Sequence, residues 1–148
     1  MKTAIALALA SSLLALPALA QVTVTEAWVR GTVPAQKATG AFMKLKSADE
    51  AKLVGAASPA AKIVEVHEMS MKDNVMQMRA VDAIALPAGK LVELKPGGYH
   101  VMFVDLVKPL EKGASVPITL TFVGKDGKKV TQEVKAEVRS PSGEAHKQ

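Results

Sequence analysis

Cysteine is absent from all 148 residues, and that gap removes a whole branch of chemistry. No disulfide framework, thiol nucleophile or thiolate-bound metal is open to this chain, nor is covalent haem attachment. A blue-copper electron-transfer centre, which needs a Cys thiolate, is excluded for the same reason. Aromatic residues are scarce too, at 3% of the chain. The formal net charge is +5, but the lysines are scattered and only Lys128-Lys129 are adjacent. A nucleic-acid footprint calls for clustered basic residues, so nucleic acid is not an expected partner. Past the first twenty positions no apolar run approaches the roughly 20 residues of a membrane span.

What is present begins with a leader. Lys2 supplies a positive start, Ala4 to Leu16 an apolar core, and Ala18-Leu19-Ala20 a small-residue cleavage site before Gln21. Residues 1–20 therefore read as a cleaved Sec-type secretory signal. The product is expected to be exported to a bacterial periplasm or beyond it. Residues 21–139 are long enough for one domain with its own core. Residues 140–148 read as a flexible polar tail.

The domain reads as all-β, an antiparallel sandwich or barrel. Apolar and polar residues alternate over Val22–Val29, Ala41–Lys46 and Ile63–Met69. Further strands are expected at Val75–Val81, Leu91–Leu94, His100–Leu106, Val116–Val123 and Lys129–Val138. Turn residues separate them, notably Lys72-Asp73-Asn74 and Pro96-Gly97-Gly98. Gly supplies positive φ and Pro fixes φ, which is why these positions break strands.

Against this background the distribution of His and Met is uneven. The chain has three His and seven Met. Met69, Met71, Met76, Met78 and Met102 share one short stretch with His67 and His100. Thioether sulfur is a soft donor that suits Cu(I), and imidazole completes such a site without a thiolate. Side chains two apart on a strand share a face, so His100 projects with Met102, and Ile63, Glu65, His67 and Met69 project together. A hairpin turning at Lys72-Asp73 would set His67 opposite Met78 and Met69 opposite Met76. Opposed residues have Cβ atoms roughly 4.5–5.5 Å apart, although a bulge or three-residue loop would move this register. His67, Met78, His100 and Met102 are the expected metal donors, with Met69 and Met76 as accessories. Met43 stands alone in a β-run and reads as core. Asp105, Glu68, Ser58 and Ser70 lack the partners of a catalytic constellation, so no enzyme activity is expected.

These residues resemble the periplasmic copper chaperones of the PCuAC type. Their signature is His, ten residues, Met, twenty-one residues, His-x-Met, and His67, Met78, His100 and Met102 fit every interval. The flanking runs Ala27-Trp28-Val29-Arg30, Glu65 to Met69 and Leu94 to Met102 are similar as well. The resemblance implies a cupredoxin-like β-sandwich with Greek-key connections, acting as a monomer and holding Cu(I) through these His and Met side chains. It implies delivery of copper to respiratory cytochrome c oxidase, at the dinuclear copper centre of its second subunit, with a Sco-type thiol protein in the same pathway. Some relatives carry a His- and Met-rich C-terminal extension for Cu(II). Here the tail offers only His146, and a second site is not expected. Periplasmic copper sequestration through the same residues and a metal-free structural sandwich are the competing readings.

Overall fold

The computed structural model describes residues 22–142. The expected signal, 1–20, and the tail from 143 onward, with His146, lie outside the described residues. Ten strands follow in order: β1 Val22–Arg30, β2 Ala38–Ser47, β3 Ala51–Ala57, β4 Ala61–Lys72, β5 Val75–Ala80, β6 Ile84–Leu86, β7 Leu91–Leu94, β8 His100–Leu106, β9 Ser115–Gly124 and β10 Lys129–Arg139. No helix occurs among the described residues.

The strands hydrogen-bond in the order β5-β4-β8-β2-β1-β10-β9-β3-β6, with β7 also pairing β2. Strands from both ends of this path feed one buried cluster, so the sheet folds over itself into two layers. Its centre holds Met43, Leu45, Leu53, Phe103, Ile118 and Leu120, all essentially inaccessible. Each such side chain contributes roughly 1.5–3 kcal/mol of burial. Strand β8 is inserted between β2 and β4, and β9 between β3 and β10, the out-of-sequence pairing that Greek-key connections produce.

Two strands were not expected from the sequence. β3 is Ala-rich with a glycine, and β6 has three residues. Neither carries a β-branched or aromatic run; β3 is held by pairing with β9, and β6 by pairing with β3. The ladder is also not wholly antiparallel, since β1 and β10 pair in parallel from Trp28↔Glu137 to Arg30↔Arg139.

Alternation decides which face of β4 and β8 is free. Val66 on β4 and Val101 and Phe103 on β8 point into the core. Glu65, His67, His100 and Met102 therefore occupy the outer face of the same sheet. The β4–β8 ladder sets His67 directly opposite His100 and Glu65 directly opposite Met102.

Candidate metal centre

Two turns aim the site residues. Between β7 and β8, Gly98 N–H donates to the Lys95 carbonyl at 2.9 Å, and Gly97 has φ 85°. That is a type II turn, with Pro96 at its first central position and glycine where positive φ is required. The Gly98 carbonyl emerging from it accepts from the Met69 backbone N–H at 3.2 Å and lies 3.1 Å from His100 Nδ1. One backbone oxygen thus ties the loop to β4 and orients the first imidazole of β8.

The β4–β5 hairpin corrects the expected register. Asp73 and Asn74, not Lys72 and Asp73, are its central residues, with φ of 51° and 62°. A type I′ turn needs positive φ at both positions, which Asp and Asn tolerate and Lys does not. The pairing moves by two residues: Met69 faces Met78, Met71 faces Met76, and His67 faces Ala80. A shift of two preserves the faces. Met78 is therefore diagonal to His67 instead of opposite it, and still on the same side.

Met69, Met78, His100 and Met102 line one open cleft of about 260 Å³, together with Arg30, Phe42, Gly97 and others. His67 flanks it, its ring centroid 5.7 Å from that of His100. Met76 does not line the cleft; it stays at the hairpin tip opposite Met71, both exposed. Of the two accessory candidates, then, Met69 adjoins the site and Met76 does not. Met43 is 1% exposed and sits in the core.

The imidazoles carry the decisive detail. His100 is 4% exposed, and the Gly98 carbonyl can only accept, so the Nδ1 proton is spent there. His100 Nε2 is left buried with no hydrogen-bond partner, and His67 Nδ1 is in the same condition. A buried, unsatisfied polar atom costs about 1–3 kcal/mol, and here two occur in adjacent rings. The His100 ring lines the cleft with Met69, Met78 and Met102, and the His67 ring packs beside it. Among the described residues no three His, Asp or Glu side chains gather as a metal-binding group, whereas the thioethers of Met69, Met78 and Met102 line the cleft with His100. Nitrogen and thioether donors together fit a soft, monovalent ion.

Burial holds the His100 imidazole below its ordinary value; the Gly98 hydrogen bond opposes this, and the His67 and Arg30 charges add to it. Behind the cleft a stack of rings supports His100. Its ring centroid is 6.2 Å from Phe42, which is 4.6 Å from Trp28. Arg30 and Arg139 guanidinium groups sit over Phe42 and Trp28 at 5.6 and 4.9 Å. Phe42 is on the outward side of β2 yet buried, because this stack covers it. Gly40 makes room: a Cβ there would meet the Phe42 ring at 3.0 Å.

Residues 22–138 match the family described as "Putative lipoprotein LpqE-like". The chain belongs to the LpqE-like family. It is 35% identical over 128 residues to "Putative lipoprotein Lxx21020" of Leifsonia xyli subsp. xyli, covering 80% of this chain and 77% of that relative. Among solved structures, the copper-bound PCuAC domain from PmoF2 matches with TM-score 0.63 and 25% identity, over 81% of this chain and 93% of that one. Apo-DR1885 from Deinococcus radiodurans matches with TM-score 0.60 and 32% identity, over 95% and 93%. Its Cu(I) form matches with TM-score 0.57 and 32% identity, over 87% and 83%. The LpqE-like chain thus has the PCuAC fold, and the cupredoxin-like expectation holds.

Sequence reasoning left three contributors unassigned. Glu65 bonds to His67, Arg30 lines the cleft, and the Gly98 carbonyl orients His100. Only Glu65 carried a readable signal, since the alternation of β4 puts it on the face of His67.

Proposed function

We propose that this LpqE-like chain is an exported Cu(I) carrier, not an enzyme, that binds one ion through His67, Met78, His100 and Met102, with Met69 adjoining. The observation that carries the reading is the pair of buried, unpartnered imidazole nitrogens beside a thioether-lined cleft. Copper in the structures of similar proteins, as Cu(I) in DR1885, supports the choice of cargo. Thioethers hold Cu(I) without deprotonation, so the site can work where thiolates would be oxidised.

The proposal extends to delivery. The cleft opens at the surface and Met78 is 48% exposed, so an acceptor can approach the ion while other donors still hold it. This favours handover over sequestration. The proposed acceptor is the dinuclear copper centre of cytochrome c oxidase subunit II, with a Sco-type thiol protein in the same pathway. The proposed compartment is the periplasm, reached through the leader at 1–20. No residue of the sequence is a cysteine, so it offers no thiol for lipid attachment, whatever its relatives carry.

An anaerobic Cu(I) titration against a competing chelator should give one equivalent, with Cu(II) bound more weakly. The loaded protein should then metallate an apo oxidase copper domain. Tight uptake without transfer, and loss of copper tolerance instead of oxidase activity in a deletion strain, would favour sequestration. No Cu(I) uptake would leave a metal-free structural sandwich.

A further inference from the structure

The two histidines of the site are held by opposite nitrogens. His67 Nε2 lies 2.8 Å from Glu65 Oε2, and its Nδ1 is the buried, unpartnered atom. His100 Nδ1 lies 3.1 Å from the Gly98 carbonyl, and its Nε2 is the buried, unpartnered atom. A neutral imidazole has one N–H and one lone pair. A carboxylate and a carbonyl both accept, so each draws the N–H to its own side and leaves the lone pair on the far nitrogen.

We infer that Glu65 is a positioning residue of this site: it selects the Nε2–H form of His67 and so presents Nδ1 to the ion, while His100 presents Nε2. The ion in this statement rests on the Cu(I) reading; the arrangement of protons does not. Local structure explains why Glu65 can do this. It is two residues before His67 on the same face of β4, and its cross-strand partner is Met102. The carboxylate therefore reaches along its own strand to the imidazole. Its side chain is 46% exposed, so it is not part of the core and can be changed without opening a cavity. A carboxylate behind a metal-binding imidazole fixes the ring and raises the basicity of the other nitrogen, and losing such a partner typically costs 10–100-fold in metal affinity.

The experiment compares the parent chain with Glu65→Gln and Glu65→Ala. Long-range 1H–15N spectra of the metal-free proteins, taken well above the imidazole titration range, report which nitrogen of each His holds the proton. In the parent, His67 should be protonated at Nε2 and His100 at Nδ1. Glu65→Gln retains an accepting oxygen and should keep that pattern. Glu65→Ala should turn His67 into a mixture of the two forms while leaving His100 unchanged. Cu(I) affinity should fall about 10–100-fold in Glu65→Ala, with partial rescue in Glu65→Gln. A parent with His67 protonated at Nδ1, or a Glu65→Ala protein with unaltered His67 signals, overturns the inference. So does an altered tautomer with parental affinity. A parent that takes up no Cu(I) overturns the copper reading instead, and the metal-free spectra still decide the Glu65–His67 arrangement.

Discussion

Replacing Met78 and Met102 by Leu, with Met43→Leu alongside, separates ligand chemistry from packing, because the structure ranks these three positions differently for the two. Met43 is 1% exposed at the centre of the core. Leu is similar in volume but differently shaped, and such a buried exchange costs up to about 1.5 kcal/mol. Met78 is about half exposed on an edge strand and lies outside the buried core cluster. Its replacement should alter stability by no more than about 0.5 kcal/mol. Met102 is partly buried between Glu65 and Gly40 in the ladder and should fall between them. Copper affinity should rank the other way. Removing a thioether donor should weaken Cu(I) by at least the roughly 10–100-fold seen when only a supporting partner of a ligand is lost. Met43→Leu should leave affinity unchanged. Urea unfolding gives the first ranking, and chelator competition under anaerobic conditions gives the second. If Met78→Leu and Met102→Leu bind Cu(I) as the parent does, the donor assignment is wrong. If affinity simply follows stability across the three variants, the methionines act through packing.

Cu(I) affinity should fall on acidification, since each imidazole must be neutral to bind; affinity that stays flat into strongly acidic solution would exclude both His as ligands. The metal-free protein should show a related trend in stability. His100 is held below its ordinary value of 6.5 chiefly by burial, so on acidification the unfolded chain takes up a proton there before the folded one. The stability present above pH 6.5 should decline as pH falls toward and through the folded value, and His100→Gln should flatten that part of a urea-midpoint profile; equal profiles would refute the account. Asn74→Val places a β-branched residue at φ 62° and should destabilise the fold by about 1–3 kcal/mol, read by thermal unfolding, while Asn74→Gly should be tolerated. Phe103→Ala removes a fully buried ring and should cost about 3–5 kcal/mol, with Cu(I) affinity kept under conditions where the variant remains folded.

Local pattern was enough for much of this protein. Alternation and turn residues together marked eight of the ten strands that the structure contains, and alternation set Glu65, His67 and Met69 on one face of their strand and His100 with Met102 on one face of theirs. The absence of cysteine together with clustered Met pointed to a soft ion, because donor chemistry is a property of residue type and needs no coordinates. The tertiary structure decided what depends on pairing between distant segments. That His67 stands opposite His100 follows from the β4–β8 ladder, and nothing near either residue encodes it. The hairpin register hinged on which two residues take positive φ, a choice settled by backbone sterics at Asp73 and Asn74. Strands β3 and β6 have weak intrinsic preference and exist because β9 offers hydrogen bonds to β3, which in turn holds β6. The orphaned imidazole nitrogens likewise appear only after folding, when Phe42, the Pro96-Gly97-Gly98 loop and the neighbouring strands remove the water that would otherwise satisfy them.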